Sequence, residues 1–196
     1  LLAQSLRDLQ CMIIECEREL NWLDMCINVK KSCCMRIGPR CNARCDSITT
    51  VGGTLPWVNN FRYLGIVLVK SRTFRCSLSD AKKSFYRSVN AIFGRIGRQS
   101  SEEVVLQLMS SKCLPILLYG LEACPLNKSD LNSLDFAVNR FLMKLFNTIN
   151  VDIIAECRSF FNVPLPSCSI SHRANTFTKK YSNCGNVLCR VLAGIG

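Results

Sequence analysis

The residues of this chain best suited to chemistry are its cations. Lys82, Lys83, Arg87, Arg95 and Arg98 follow one another closely, and no Asp or Glu occurs between Lys82 and Ser101. At about 100° per residue in a helix, Lys83, Arg87, Gly94 and Arg98 project to roughly one side. Ala81, Phe85, Val89, Ile92 and Ile96 form the opposing apolar stripe. A cationic face with a glycine in its middle leaves room for a bulky anion, and phosphate contact is the chemistry it offers. The alternative is a solvated face without a ligand.

Other chemistries find weaker support. There are 14 cysteines and one histidine, His172. Cys33, Cys34, Cys41 and Cys45 could make a zinc site, but no second pair stands at zinc-finger distance. Cys11, Cys16 and Cys113 fall in helical patterns where a small apolar residue suits a core. A Ser-His-Asp arrangement would need His172, which lies in a polar stretch. Gly94 and Gly97 sit inside a helical pattern, so there is no phosphate loop following a strand. No pair of acidic residues closes a predicted strand where two metal ions could be held.

These residues need elements to carry them. Ser5 and Asp8 have the spacing of a capping box, and Leu6, Leu9, Ile13, Cys16, Leu20 and Leu23 form a helical stripe. Residues 25–29 are apolar and partly β-branched and predict a strand. Residues 48–51 and 55–58 predict a hairpin across Gly52-Gly53, and residues 61–69 predict one strand interrupted by Gly65. From Ser77 onward the pattern is helical: a helix through the basic stretch, another over 102–113 kinked or broken at Pro115 with an apolar pattern resuming over 116–123, one over 130–146 and a short one over 151–161. After Pro164 and Pro166 periodicity fades, which predicts a poorly defined tail over 162–196. The fold class expected is α+β, with strands and one helix first and a mostly helical region after a boundary near Arg75.

The 196 residues suit one compact domain or a piece of a larger one, and 48% apolar content excludes general disorder. No uninterrupted apolar run reaches the roughly 18 residues that span a bilayer, so no membrane partner is expected. Leu1-Leu2-Ala3-Gln4 has no basic or cleavable leader character, and there is no initial Met, so the chain reads as an intracellular, unsecreted fragment of a longer frame with reduced thiols. Of the net charge of +11, residues 62–112 contribute +7, from ten basic and three acidic residues. Such an excess favours a polyanionic partner, although many basic proteins have none.

Three stretches, in order, resemble the reverse transcriptases of non-LTR (LINE-type) retrotransposons. Asn28-Val29-Lys30-Lys31-Ser32 is similar to the family's Asn-x-x-Lys palm motif. Arg62-Tyr63-Leu64-Gly65-Ile66 is similar to the Tyr-Leu-Gly element at the palm-to-thumb junction. Pro115-Ile116-Leu117-Leu118-Tyr119-Gly120-Leu121-Glu122 is similar to the Pro-x-x-x-Tyr-Gly-x-Glu element of the helical region beyond.

The resemblance implies the end of a polymerase palm over 1–75 and a thumb-like helical region over 76–161. The two adjacent aspartates that hold Mg²⁺ would lie just upstream, with the fingers, the rest of the palm and the endonuclease, so this fragment would hold no cofactor and would be inactive alone. Lys31 would match the lysine that protonates leaving pyrophosphate, with a solvent-facing strand-end lysine as the alternative. Tyr63, Leu64 and Gly65 would match the primer grip, with a strand bulge at Gly65 as the alternative. Lys82, Lys83, Arg87, Arg95 and Arg98 would track the phosphates of an RNA template and DNA primer. Tyr119 and Glu122 would be structural. The family's setting implies cytoplasm and nucleus. The competing reading is a non-enzymatic basic nucleic-acid-binding or interaction module, with or without the cysteine zinc site.

Overall fold

A computed structural model describes residues 1–96, 99–187 and 189. The chain is α+β: helices dominate, and five short strands lie between Ile48 and Ser77. It divides into two compact units, one of residues 1–63 and 67–75, the other of residues 64–66 and 76–196.

In the first unit, helix α1 (Leu6–Trp22) starts at Ser5, whose hydroxyl accepts the Asp8 amide at 3.1 Å. Its apolar stripe centres on Ile13, which is buried with Cys34, Ile48 and Leu55. Strands β1 (Ile48–Thr50) and β2 (Gly53–Leu55) pair antiparallel, with Ile48 opposite Leu55 and Thr50 opposite Gly53. The turn is therefore Val51-Gly52, one residue earlier than Gly52-Gly53. The Gln10 side-chain amide pairs with Thr49 as another strand would: Nε2 donates to the Thr49 carbonyl at 2.8 Å and Oε1 accepts the Thr49 amide at 2.9 Å. The helix thus covers backbone groups that an edge strand would leave open.

Residues 25–29 do not form the predicted strand. They keep a period of two, with Ile27 and Val29 turned inward and Cys26 and Asn28 exposed, but no neighbouring strand pairs with them. Side-chain pattern alone does not satisfy the backbone, and a strand without a ladder is not a strand. The predicted strand over 61–69 is instead a hairpin of β3 (Asn60–Tyr63) and β4 (Ile66–Val69), and β5 (Arg75–Ser77) completes a sheet of order β3-β4-β5.

The second unit is helical. Helix α2 (Ser79–Ile96) buries Phe85 and Val89. Helix α3 (Glu102–Leu108) runs through a π-helical turn (Met109–Cys113) into α4 (Leu114–Leu118). Pro115 lacks an amide hydrogen and its ring crowds the preceding turn, and the wide π turn just before it keeps the helical run going where a kink or break was predicted. A 3₁₀ turn (Leu121–Ala123) follows, then α5 (Lys128–Leu145), capped by Asn127 and Asp130 in a reciprocal box, and α6 (Val151–Phe160). By length and composition the 22 residues Glu102–Ala123, which hold an 18-residue window of mean hydropathy 1.5, are apolar enough to cross a bilayer. In this fold Val105, Met109, Cys113 and Leu117 from that run are completely buried in the unit's core.

The stretch expected to be a poorly defined tail contains a 17-residue helix, α7 (Pro166–Ser182). Pro166 stands at its start, where a missing amide hydrogen costs nothing, so the proline that ended one pattern begins another. Helix α7 packs on α5 and on the 3₁₀ turn, and only Pro166 and Ile170 are buried, which is why its apolar signal was faint.

Phe85→Ala empties a fully buried site, and about 3–5 kcal/mol of destabilisation is expected in denaturant unfolding. Phe136→Ala, at a position 56% exposed on α5, is expected to stay within about 0.5 kcal/mol of wild type.

Candidate nucleic-acid interface

The connection between β3 and β4 is two residues long, Leu64-Gly65, with φ of 46° and 86°. A tight hairpin needs positive φ at both such positions. Glycine meets this freely; leucine at that φ costs about 1–2 kcal/mol. Leu64 is also 73% exposed, so burial does not offset its strain. Strained, exposed residues of this kind gather at functional sites.

The turn is held by the third of the resembling segments. A Cβ on Gly65 would lie 2.8 Å from Tyr119 Cε1, and a Cβ on Gly120 would lie 2.6 Å from Ile66 Cδ1. Gly120 has φ of 68° and so suits glycine on conformation as well. The two segments dock reciprocally, each glycine receiving a bulky side chain of the other. Glu122 turns partly inward, with Oε2 buried and lacking a hydrogen-bond partner among the described residues.

The basic face of α2 lies in the same unit as this dock. Lys83, Arg87, Asn90, Gly94 and Arg95 are exposed, and the space above Gly94 is open. Lys83, Arg87 and Arg95 form no ion pair among the described residues. Lys82 turns differently: it is half-buried, and its Nζ donates to Ser133 Oγ on α5 at 3.4 Å. Arg98 lies outside the described residues.

Sequence reasoning missed Lys144. It is an exposed residue of α5 whose Nζ donates to Asn90 Oδ1 at 3.1 Å and sits 4.8 Å from the centre of the Phe93 ring. Both contacts fix it beside the exposed face of α2, with a neutral partner that leaves its charge available. The only signal was a cation falling off the apolar stripe of α5, which does not say which helix it leans toward.

Lys31 and Tyr63 belong to the first unit. Lys31 is exposed, and its amide donates to the Asn28 carbonyl at 3.1 Å and to Asn28 Oδ1 at 3.2 Å. Asn28 thus shapes the turn that presents Lys31. Tyr63 is 59% exposed and meets Phe61 edge-on.

Among the described residues, no three His, Cys, Asp or Glu side chains converge as a metal site. Cys33, Cys34, Cys41 and Cys45 do not lie together as such a group in this structure. Burial, and then the neighbouring Cys33, pushes the Cys34 thiol up, against the thiolate that zinc requires. Arg36 Nη1 lies 2.7 Å from Cys45 Sγ and brings a positive charge where a metal would bring another.

The chain matches no protein-family model, no curated protein and no solved structure.

Gly65→Ala is expected to cost about 1–3 kcal/mol in equilibrium unfolding, from backbone strain and the collision with Tyr119. In Gly65→Ala with Tyr119→Ala the collision is gone and the strain remains. The double-mutant cycle should therefore show a favourable coupling above about 0.5 kcal/mol.

Proposed function

We propose that this chain is the closing part of the palm and the thumb-like region of a non-LTR retrotransposon reverse transcriptase, an RNA-directed DNA polymerase. Its work is to bind the duplex of RNA template and DNA primer. The observation that carries the reading is the α2 face: Lys83 and Arg87, with Lys144 fixed alongside, are exposed cations that form no ion pair among the described residues. Cations without partners release counterions from a nucleic-acid backbone on binding, which supplies affinity without reading sequence.

The resembling segments add to this. Gly65 and Gly120 are the residues whose lack of a side chain lets the two segments close on each other. The exposed, strained Leu64 beside Gly65 is placed where a backbone turn can approach a ligand, as a primer grip does. Lys31, on its Asn28 turn, keeps the role of pyrophosphate acid within this reading. In this reading binding is the activity assigned to this chain, and polymerisation belongs to the longer polypeptide with its fingers, palm and endonuclease.

Salt dependence tests the reading. The chain is titrated against a labelled RNA–DNA primer–template at increasing ionic strength. Replacing Lys83, Arg87 and Lys144 together by Ala is expected to weaken binding at low salt and to flatten the slope of log K against log salt by about 2–3. Lys82→Ala, which removes a cation engaged with Ser133, is expected to change the slope by less than one. An unchanged slope in the triple variant overturns the assignment of this face.

A further inference from the structure

Cys76, on β5, and Cys124, just past the 3₁₀ turn, both belong to the second unit and are only partly covered. Their sulfurs lie 2.9 Å apart, although 47 residues separate them in the chain. Two sulfurs in ordinary contact stand farther apart than this, and a short approach closes a covalent bond of about 2.05 Å. Neither cysteine has a place in the nucleic-acid reading.

We propose that Cys76 and Cys124 form a redox modification site, a vicinal dithiol in space that low-molecular-weight disulfides such as glutathione disulfide convert to an internal disulfide. The Cys76 thiolate attacks one sulfur of glutathione disulfide, the sulfur–sulfur bond breaks, and one glutathione leaves as thiolate and takes a proton from water. Cys124 then loses its proton to solvent, its sulfur attacks the Cys76 sulfur, and the second glutathione leaves. Two protein thiols are oxidised and one glutathione disulfide is reduced to two thiols.

The order of attack follows from surroundings. Burial first, then the Cys76 contact and the nearby charges of Cys76 and Glu122, push the Cys124 thiol up to about 12, so Cys124 keeps its proton and Cys76 opens the reaction.

The bond would act on the motif dock. Cys124 Sγ also lies 3.5 Å from the Gly120 carbonyl, and Gly120 receives Ile66, the first residue of β4. Strand β5 is the neighbour of β4 in the sheet. A Cys76–Cys124 bond therefore links β5 to the turn that follows Gly120, where Ile66 is received, and closes a long loop of the unfolded chain.

The full chain is exposed to graded ratios of reduced to oxidised glutathione, quenched with a thiol alkylator, digested without reductant and mapped by mass. The expected result is a Cys76–Cys124 linked peptide, two hydrogens lighter than the separate peptides, forming before any other internal link. Thermal unfolding is expected to shift upward by about 10 °C with that link, and by nothing in Cys76→Ala or Cys124→Ala treated alike. The peptide map needs no variant, so it decides even if both substitutions prevent folding. Glutathione remaining as a mixed disulfide on either residue, or internal links such as Cys184–Cys189 forming while Cys76 and Cys124 stay free, overturns the proposal.

Discussion

Two places where an added Cβ would collide with a side chain organise one corner of the helical unit. Gly65 leaves room for the Tyr119 ring, and Gly120 leaves room for the Ile66 side chain. Each contact requires the other segment to be in register, so the pair fixes the start of β4 against the end of the long core helix. Tight packing of this kind tolerates little error, because a single added methyl group must displace the Tyr119 ring or the Ile66 side chain. The strained Leu64 persists because this docking over-determines the turn, leaving an exposed leucine in a conformation that its own energetics oppose.

The basic face follows from a division of labour within one helix. Phe85 and Val89 are taken by the core, with Ile92 and Ile96 packed against it, which commits the opposite side of α2 to solvent. On that side Lys83 and Arg87 form no ion pair among the described residues, and Lys144 is drawn in by Asn90 and by the Phe93 ring. A cation already held in place loses less freedom on binding than a free lysine would. Lys82 shows the contrast: one position away from Lys83, it is spent on Ser133 inside the helical packing.

Much of this was readable from residue pattern. The helical stripes of α1, α2 and α5 and the α+β class are carried by periodicities that local sequence expresses. What escaped depends on partners distant in the chain. Residues 25–29 have a strand's alternation but no neighbour to pair with. Gly65 was readable as an interruption, yet a full reversal of direction depends on Leu64 accepting positive φ, which its side chain argues against. Pro115 reads as a kink or break unless a π turn precedes it, and α7 reads as tail because few of its residues meet the core. At the interface, Lys83 and Arg87 were legible as a face, whereas Lys144 came to it from another helix, a placement that only tertiary packing decides. Cys76 and Cys124 were two among 14 cysteines until the fold set them side by side.

The central claim is that nucleic acid lies along the exposed side of α2, with Lys144 at its margin. Lysine acetylation of the intact chain, free and bound to an RNA–DNA primer–template, tests it residue by residue. The expected result is that Lys83 and Lys144 are shielded in the complex, while Lys179 and Lys180 on α7 react as they do in the free chain. Equal acetylation of Lys83 and Lys144 with and without the duplex, or shielding confined to Lys179 and Lys180, would contradict it.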